Sequence, residues 1–252
     1  VLALFDGEPV RVDDVVFGAA RVKTDDEIAN AARATRIAEA GYARLLEIAE
    51  PGMPECRLAL ELKSHMKSLD ADDNFLMLTA DAHPQAVQPS GERPLAKGDM
   101  ILAEITPSYK GQFAQICRTA VLGEPTDLHR EKYEIVVEAM NEGISRALPG
   151  AQMRAVCRGV DEVLSRHGYA EYCQPPYMNR RGHGLGTSCT VPGNVSLDNE
   201  ILLEADMFFV VHPNQYIPEI GYCLCGEPVA VRDGAPEILA EAGAALGSIP
   251  LR

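Results

Sequence analysis

The chain lacks the surplus of basic residues that binding to a nucleic acid or to an anionic membrane requires. It has 23 Lys and Arg residues against 37 Asp and Glu residues, which gives a formal net charge of −14 over 252 residues. It also has no apolar run that approaches the ~18–20 residues of a membrane-spanning helix. The composition therefore predicts no nucleic-acid partner and no membrane partner.

Paired cysteines of the metal-binding or redox type are missing as well. The seven cysteines are an odd and scattered set without a CxxC pair, which is typical of reduced thiols and predicts a cytoplasmic protein. The composition, 46% hydrophobic and 24% charged, is that of an ordinary globular protein with a sizeable core. The length leaves open one large domain or two small ones.

Two pairs of long helices are predicted. Thr24 and Glu27 form the pattern of a capping box at the start of the first helix, whose apolar stripe runs to Leu46 before Pro51-Gly52 ends it. The other helices are expected over Pro54–Leu69, over Asp127–Ala147 and from Ala151 to about His167.

Short motifs recur in the same order in the two parts of the chain. The Pro51-Gly52 pair is echoed by Pro149-Gly150, 98 residues later, and Asp99-Met100 is echoed by Asp206-Met207, 107 residues later. Coincidence of short matches is the alternative explanation. The recurrence predicts an α+β fold of two pseudo-symmetric halves, each with two helices followed by strands, and a cleft between them. Strands are expected over Asn74–Thr79, Met100–Thr106, Gln112–Leu122, Met207–His212 and Tyr222–Val231, with a further candidate at Val10–Val16.

Two histidines are the main candidates for chemistry. His183 stands between Gly182 and Gly184, so that no neighbouring side chain shields its imidazole from a ligand. A histidine that is merely tolerated in a flexible loop is the alternative. His212 ends an apolar strand just before Pro213, and a rim histidine bonded to backbone is the alternative there.

Other polar residues near strand ends are weaker candidates. Glu104 closes an apolar strand in the matching half, and Gln115 follows on the next strand. His83 lies in a loop, where solvated histidines are common. Cys225 and Glu227 share one face of the last predicted strand by alternation, although a buried, inert cysteine is the default interpretation.

Together these segments resemble the pita-bread superfamily of creatinase, aminopeptidase P and methionine aminopeptidase. The resemblance covers roughly residues 20–240, and it implies an α+β fold with two pseudo-symmetric halves of helices packed on a curved antiparallel sheet. It also implies that residues 1–20 are the tail of a separate N-terminal domain, that residues 21–252 form the catalytic-type domain, and that the protein is a homodimer. The motifs that carry it are Lys23–Glu27, Arg93–Asp99, Arg118-Thr119 with Leu122-Gly123, Gly182–Gly186 and Asp233-Gly234.

The resemblance also indicates what has changed at the site. The family's metallopeptidases hold two divalent metals with two Asp, one His and two Glu residues, and only His183 is kept here. Two dications need several anionic oxygens around them, so the resemblance implies that a dinuclear centre is absent and that no cofactor is required. One divalent metal such as Zn²⁺ is the alternative. The five aligned positions hold Glu104, Gln115, His183, His212 and Cys225, and the alternative zinc site would use all of them except Gln115.

Three functions follow as hypotheses. The first is a metal-independent hydrolase, similar in kind to creatinase and ectoine hydrolase, that cleaves a C–N bond of a small amide, lactam or amidine with His183, His212 and Glu104 as catalytic residues. The second is a metal-dependent Xaa-Pro-type peptidase with an unusual ligand set, and the third is a non-catalytic peptide-binding module. A small molecule or short peptide is the expected substrate, and the residues expected to contact it are Gln115, His83, Cys225, Glu227 and Tyr109.

Overall fold

Helices packed on mainly antiparallel sheets make up the computed structural model, which describes residues 12–251. The helices are α1 (Asp13–Arg21), α2 (Asp25–Ile48), α3 (Glu55–Ser68), α4 (Asp127–Ser145) and α5 (Met153–Arg166), with a short 3₁₀ helix at Ala170–Cys173. The strands are β1 (Asn74–Asp81), β2 (Met100–Tyr109), β3 (Gln112–Phe113), β4 (Ile116–Leu122), β5 (Gly182–Gly184), β6 (Phe208–Val211), β7 (Gln215–Ile217), β8 (Gly221–Cys223), β9 (Glu227–Ala230), β10 (Glu237–Ile238) and β11 (Gly247–Ile249).

The start of α2 has the predicted capping box. The Thr24 hydroxyl accepts a hydrogen bond from the Glu27 amide, and the Glu27 carboxylate accepts one from the Thr24 amide at 2.8 Å. Two of the otherwise unpaired amides at the helix start are thereby satisfied. This part of the sequence-based prediction is confirmed.

The strand predicted over Val10–Val16 is wrong where the structure describes it. Val10 and Arg11 lie outside the described residues, and helix α1 begins at Asp13. Asp13 and Asp14 lie in its first turn, where acidic side chains stabilise the positive end of the helix dipole. None of its described residues is buried, so the apolar residues of this segment do not form the face of a sheet. The assignment of residues 1–20 to a separate N-terminal domain stays a prediction.

Two sheets form the centre of the fold. The first has the order β1-β2-β4-β11 with β3 beside β2, and the second has the order β10-β9-β6-β5. All pairs in them are antiparallel except β4 with β11, and β7 and β8 form a separate antiparallel pair. A backbone bridge joins the two sheets, because Cys117 and Gly226 exchange hydrogen bonds of 3.1 and 3.0 Å. We call this junction the seam.

Equivalent backbone contacts in the two halves confirm the pseudo-symmetry. The Gly52 amide donates to the Leu95 carbonyl, and the Gly150 amide donates to the Leu203 carbonyl, both at 2.8 Å. These are the turns that precede α3 and α5, so the repeated Pro-Gly motif builds the same connection twice. The α+β pita-bread fold predicted from the sequence is therefore correct.

Each helix pair buries its apolar side against one sheet. One core cluster joins α2 and α3 to the first sheet, and another joins α4 and α5 to the second sheet. A small cluster of buried residues, Leu102, Cys117 and Leu224, fills the seam. Strand ends from both halves deliver side chains to it. No helix within residues 12–251 is long and apolar enough to cross a membrane.

Candidate active site

A cavity of about 330 Å³ opens at the seam. Its wall combines the middle of β2, the residues after β6, one residue of β8 and the loop before β5. The residues that line it are Val87, Glu104, Pro175, Pro176, Tyr177, Met178, Asn179, Arg180, His212, Asn214 and Tyr222.

His212 is a buried side chain without a hydrogen-bond partner in the protein. It follows β6, is only 6% exposed, and its amide donates to the Arg181 carbonyl at 2.8 Å. Neither ring nitrogen has a partner among the described residues. Burial lowers the pKa of His212 well below the usual value, and the positive charges that His183 and Arg180 can carry act in the same direction. The imidazole is therefore neutral at pH 7 and free to contact a ligand.

His183 lies next to His212, with the two ring centroids 5.2 Å apart and the rings inclined at 67°. Its Nδ1 is 3.0 Å from the Gly184 carbonyl oxygen. A carbonyl only accepts hydrogen bonds, so Nδ1 carries the proton and the neutral ring presents the lone pair of Nε2. Burial lowers the pKa of His183, and the bond to Gly184 opposes this in part.

The glycines around His183 allow close backbone approach. A Cβ on Gly182, which has a φ of 150°, would lie 1.9 Å from the Val210 carbonyl oxygen, and one on Gly184 would lie 2.1 Å from the carbonyl of Val191. The Gly-His-Gly motif therefore clamps the histidine between β6 and the following loop. This close packing explains the two glycines better than the sequence-based interpretation, in which they left the imidazole unshielded.

Glu104 forms the second polar group of the cavity. The Asn214 Nδ2 donates to its carboxylate at 2.8 Å, while the Asn214 Oδ1 is buried and has no partner among residues 12–251. Burial raises the pKa of Glu104, and the hydrogen bond from Asn214 and the charge of Arg180 oppose that rise.

Arg180 adds a positive charge to the cavity wall. It is exposed, its only side-chain hydrogen bond among the described residues is a long one of 3.4 Å from Nη1 to the Asn194 side chain, and no described carboxylate forms an ion pair with it. Its charge nevertheless lowers the pKa of Glu104, His183 and His212. Neither Arg180 nor Asn214 was among the site residues predicted from the sequence, although each adjoins a predicted histidine motif.

Three of the residues predicted to contact substrate lie outside the cavity wall. The Cys225 thiol is 3.5 Å from the Met140 sulfur and belongs to the core under α4. The Glu227 carboxylate accepts a hydrogen bond of 2.8 Å from the buried Arg118. Tyr109 lies at the edge of the first core, beneath the side chains of Arg33 and Lys110. Their substrate contacts remain predictions that this geometry does not support.

Gln115 and His83 lie nearer to the site but outside the cavity wall. The Gln115 Nε2 donates to the Cys117 sulfur at 3.3 Å, directly behind the seam. The His83 Nε2 is 3.0 Å from the Pro218 carbonyl oxygen, and its ring packs edge-on against Tyr216 at 6.0 Å. Tyr216 in turn stacks on Tyr177 of the wall, so His83 is one aromatic ring removed from the cavity.

The donor set at the seam does not fit a pair of divalent metals. The structure brings together one carboxylate and two imidazoles whose pKa values are lowered, near the cation Arg180, whereas dications need several anionic oxygens. The Cys225 thiol, part of the alternative zinc set, lies against Met140 in the core under α4. Within residues 12–251, no three His, Cys, Asp or Glu side chains converge in a way that could hold a metal ion. Metal independence itself stays a prediction.

A polar cavity between two pseudo-symmetric halves places the chain in the pita-bread class of folds. The chain belongs to metallopeptidase family M24, whose model matches residues 29–233. This confirms the family inferred from the sequence.

The relatives include peptidases that are longer than this chain. The uncharacterized peptidase YqhT of Bacillus subtilis is 28% identical over 86% of this chain and 61% of its own length, and the Xaa-Pro dipeptidase of Pyrococcus furiosus is 28% identical over 84% and 60%. Among solved structures, dipeptidase PepE from Mycobacterium ulcerans superposes with a TM-score of 0.87 at 23% identity, covering 96% of this chain and 65% of that one. The Xaa-Pro dipeptidase from Bacillus anthracis gives 0.84 at 28% identity, covering 93% and 66%. The chain spans about three fifths of the length of the curated relatives it matches.

Proposed function

We propose that this chain is a hydrolase that cleaves the C–N bond of a small amide, lactam or amidine without a metal, by acid–base catalysis at the histidine pair. The observation that carries the proposal is that His212, a residue of the cavity wall, has a buried imidazole whose two ring nitrogens have no partner among the described residues. A buried polar group without a partner costs about 1–3 kcal/mol. A substrate or a reacting water that completes the hydrogen bonds of the imidazole offsets this cost, which explains why the group is buried there.

The proton path begins at His212. Because its pKa is lowered, the neutral imidazole accepts a proton from the attacking water at neutral pH, and the resulting hydroxide adds to the carbonyl or amidine carbon. The protonated histidine then returns this proton to the leaving nitrogen as the C–N bond breaks, which balances the addition of one water. His183, whose ring lies beside that of His212 and whose Nε2 keeps its lone pair because Nδ1 donates to the Gly184 carbonyl, serves as the second proton acceptor.

Glu104 and Asn214 orient the reacting group. The carboxylate and the free Asn214 Oδ1 accept hydrogen bonds, so they hold the N–H groups of an amide or amidine. Gln115, which was also predicted to contact the substrate, donates to the Cys117 sulfur and lies outside the cavity wall.

Metal analysis and turnover together test the proposal. The protein is purified without added metal salts, its metal content is measured by mass spectrometry, and a panel of small amides, lactams and guanidino compounds is screened before and after chelation. We expect far less than one metal per chain, activity that survives chelation, and a loss of at least ~10²-fold in turnover for His212→Ala and His183→Ala. Unchanged turnover in both variants, or activity abolished by chelation and rescued by one metal, would refute the mechanism.

A metal-dependent Xaa-Pro-type peptidase is the second candidate. It is favoured by the similarity to the Xaa-Pro dipeptidase of Pyrococcus furiosus and by membership of a metallopeptidase family. Near-stoichiometric metal in the purified protein and cleavage of Xaa-Pro dipeptides would support it over the first proposal. A homodimer, a cytoplasmic location and a short peptide as substrate remain predictions.

A further inference from the structure

A buried arginine beside the histidine pair has no part in the proton path. Arg181 directly precedes Gly182 of β5, is only 1% exposed, and is not among the residues that line the cavity. Burial of a charged group is unfavourable unless the protein supplies partners for it. The partners of Arg181 therefore indicate what this residue contributes to the site.

Arg181 contacts the backbone on both sides of the His212 side chain. Its carbonyl accepts a hydrogen bond from the His212 amide at 2.8 Å, and its Nη1 donates to the Pro213 carbonyl at 2.7 Å. Nη1 also donates to the Gln215 Oε1 at 3.0 Å, at the start of β7. We call residues 212–214, which join β6 to β7, the histidine turn. One buried residue thus holds this turn through both its backbone and its side chain.

Asp161 holds the same guanidinium in place. Its Oδ1 accepts a hydrogen bond of 2.7 Å from the Arg181 Nε, and its side chain is largely buried. Asp161 lies on α5, where the nearby Val160, Val163 and Leu164 are fully buried in the core under the second sheet. Because a guanidinium is planar, hydrogen bonds at Nε and Nη1 together fix its plane. The histidine turn is therefore connected to α5 through one rigid group.

The histidine turn has an unusual backbone and carries two residues of the cavity wall. Asn214 has a φ of 43°, in the left-handed region that a residue other than glycine adopts when its surroundings impose it. The ring of His212 has no hydrogen bond to any described residue, so the direction of the imidazole depends on its packing and on the backbone that carries it. The Asn214 side chain donates to Glu104. A shift of the turn would displace both wall residues relative to Glu104.

We infer that Arg181, oriented by Asp161, is a positioning residue that holds the histidine turn so that His212 and Asn214 keep the arrangement that proton transfer requires. The inference rests on the proposed function in taking His212 as the proton acceptor. A base must lie within hydrogen-bond reach of the water it activates, and a displacement of about 1 Å can lower the rate by ~10²-fold. Substrate binding tolerates such a displacement better, so the effect appears in kcat more than in KM.

Three variants test the inference with a substrate that the hydrolysis panel identifies. Arg181→Met combined with Asp161→Leu replaces the ion pair by apolar side chains of similar size, which buried pairs often tolerate. Arg181→Lys keeps the charge but lacks the planar fork, whereas Asp161→Asn keeps an oxygen that accepts from Nε. We expect kcat to fall by ~10²-fold in the double variant and by at least ~10-fold in Arg181→Lys, with KM within ~3-fold of wild type. Asp161→Asn should keep kcat within ~3-fold.

Hydrogen exchange, measured by mass spectrometry, reports on the turn without any turnover. Peptides that cover residues 208–217 should exchange at least ~10-fold faster in the double variant, because the bond to the Pro213 carbonyl is lost. In Asp161→Asn they should exchange as in wild type. Circular dichroism and thermal melting establish that each variant is folded. If the double variant does not fold, Arg181→Lys decides, since it should raise the exchange of the same peptides by at least ~3-fold.

A matched control removes another ion pair from the same helix. Arg146, at the end of α4, pairs with Glu162, the residue after Asp161 on α5, and neither lines the cavity. Arg146→Met combined with Glu162→Leu should leave kcat, KM and the exchange of residues 208–217 at their wild-type values. Equal losses in this control and in the Arg181 double variant would overturn the inference.

The inference and the proposed function fail separately. A wild-type protein that hydrolyses no member of the panel contradicts the proposed function, and the exchange of residues 208–217 then decides alone whether Arg181 holds the turn. Wild-type exchange of this segment in the folded double variant would overturn the inference. It would also be overturned if activity depended on His212 but kcat stayed unchanged in the double variant, and the proposed function would then stand.

Discussion

Replacement of His212 by leucine is expected to make the protein more stable and inactive at the same time. The two side chains are similar in volume, and the site is only 6% exposed. Leucine removes two ring nitrogens that have no partner in the described structure. Since a buried polar group without a partner costs about 1–3 kcal/mol, we expect the free energy of unfolding at pH 7 to rise by about 1 kcal/mol. Turnover should fall by at least ~10²-fold because the proton acceptor is lost.

The pH dependence of unfolding gives a second, independent readout. The folded-state pKa of His212 is lowered below the value of about 6.5 in the unfolded chain, so between these two values the unfolded state binds a proton that the folded state does not. Its contribution to stability is therefore complete above pH 6.5 and is lost as the pH falls toward the folded-state pKa. Each pKa unit between the two states is worth about 1.4 kcal/mol. His212→Leu should lose less stability than wild type between pH 7 and pH 5.

Urea unfolding at several pH values measures both quantities, and His65→Leu on α3 is the matched control. The control should leave turnover unchanged because His65 lies outside the cavity. A His212→Leu variant that is destabilised by 2 kcal/mol or more, with the same pH dependence as wild type, would mean that the imidazole has structural partners. The argument for a substrate-facing base would then fail.

Further predictions concern the seam and the pH optimum. Gly226→Ala should lower the free energy of unfolding, measured in urea, by about 1–3 kcal/mol, because its Cβ would lie 2.5 Å from the Cβ of His212. Gly243→Ala is the control and should lower it by under ~1 kcal/mol, since the space around Gly243 is open. Equal effects of the two substitutions would contradict tight packing at the seam. Glu227→Leu should lower the free energy of unfolding by about 3–5 kcal/mol, because it leaves Arg118 buried and unpaired. Turnover per folded molecule and KM should stay near the wild-type values. A specific rise in KM would instead support the predicted role of Glu227 in substrate binding. The acid limb of kcat/KM should lie below pH 6.5, since burial lowers the pKa of both histidines of the pair, and a limb above pH 7 would contradict this.

The repeated motifs made the fold predictable from the sequence. Capping by Thr24 and the two Pro-Gly turns are local signals, and local hydrogen bonds determine them. The α1 segment shows where such signals fail, because an apolar segment taken for a strand forms a short helix that buries none of its described residues. Helix and strand positions were therefore recovered well where a core lies behind them.

The candidate site was only half predictable, because it depends on which way each strand faces at the seam. Alternation predicted that Cys225 and Glu227 share one face of a strand, but residues 224–226 lie between β8 and β9, and the two side chains contact Met140 and Arg118 outside the cavity wall. The position between them, Gly226, is the one that meets His212 and Cys117. No local pattern distinguishes the two faces of a strand that is buried on both sides. Only the register between the two halves determines which of these faces points into the cavity.

The electrostatics of the seam are the reverse of those expected for a pair of metals. Where the resemblance would put a carboxylate, His212 stands with a pKa lowered by burial and by the charge of Arg180. A cluster of carboxylates around the same imidazole would raise its pKa, since nearby negative charge stabilises the protonated form. The cavity wall thus disfavours added positive charge at the histidines and favours an anion near Arg180.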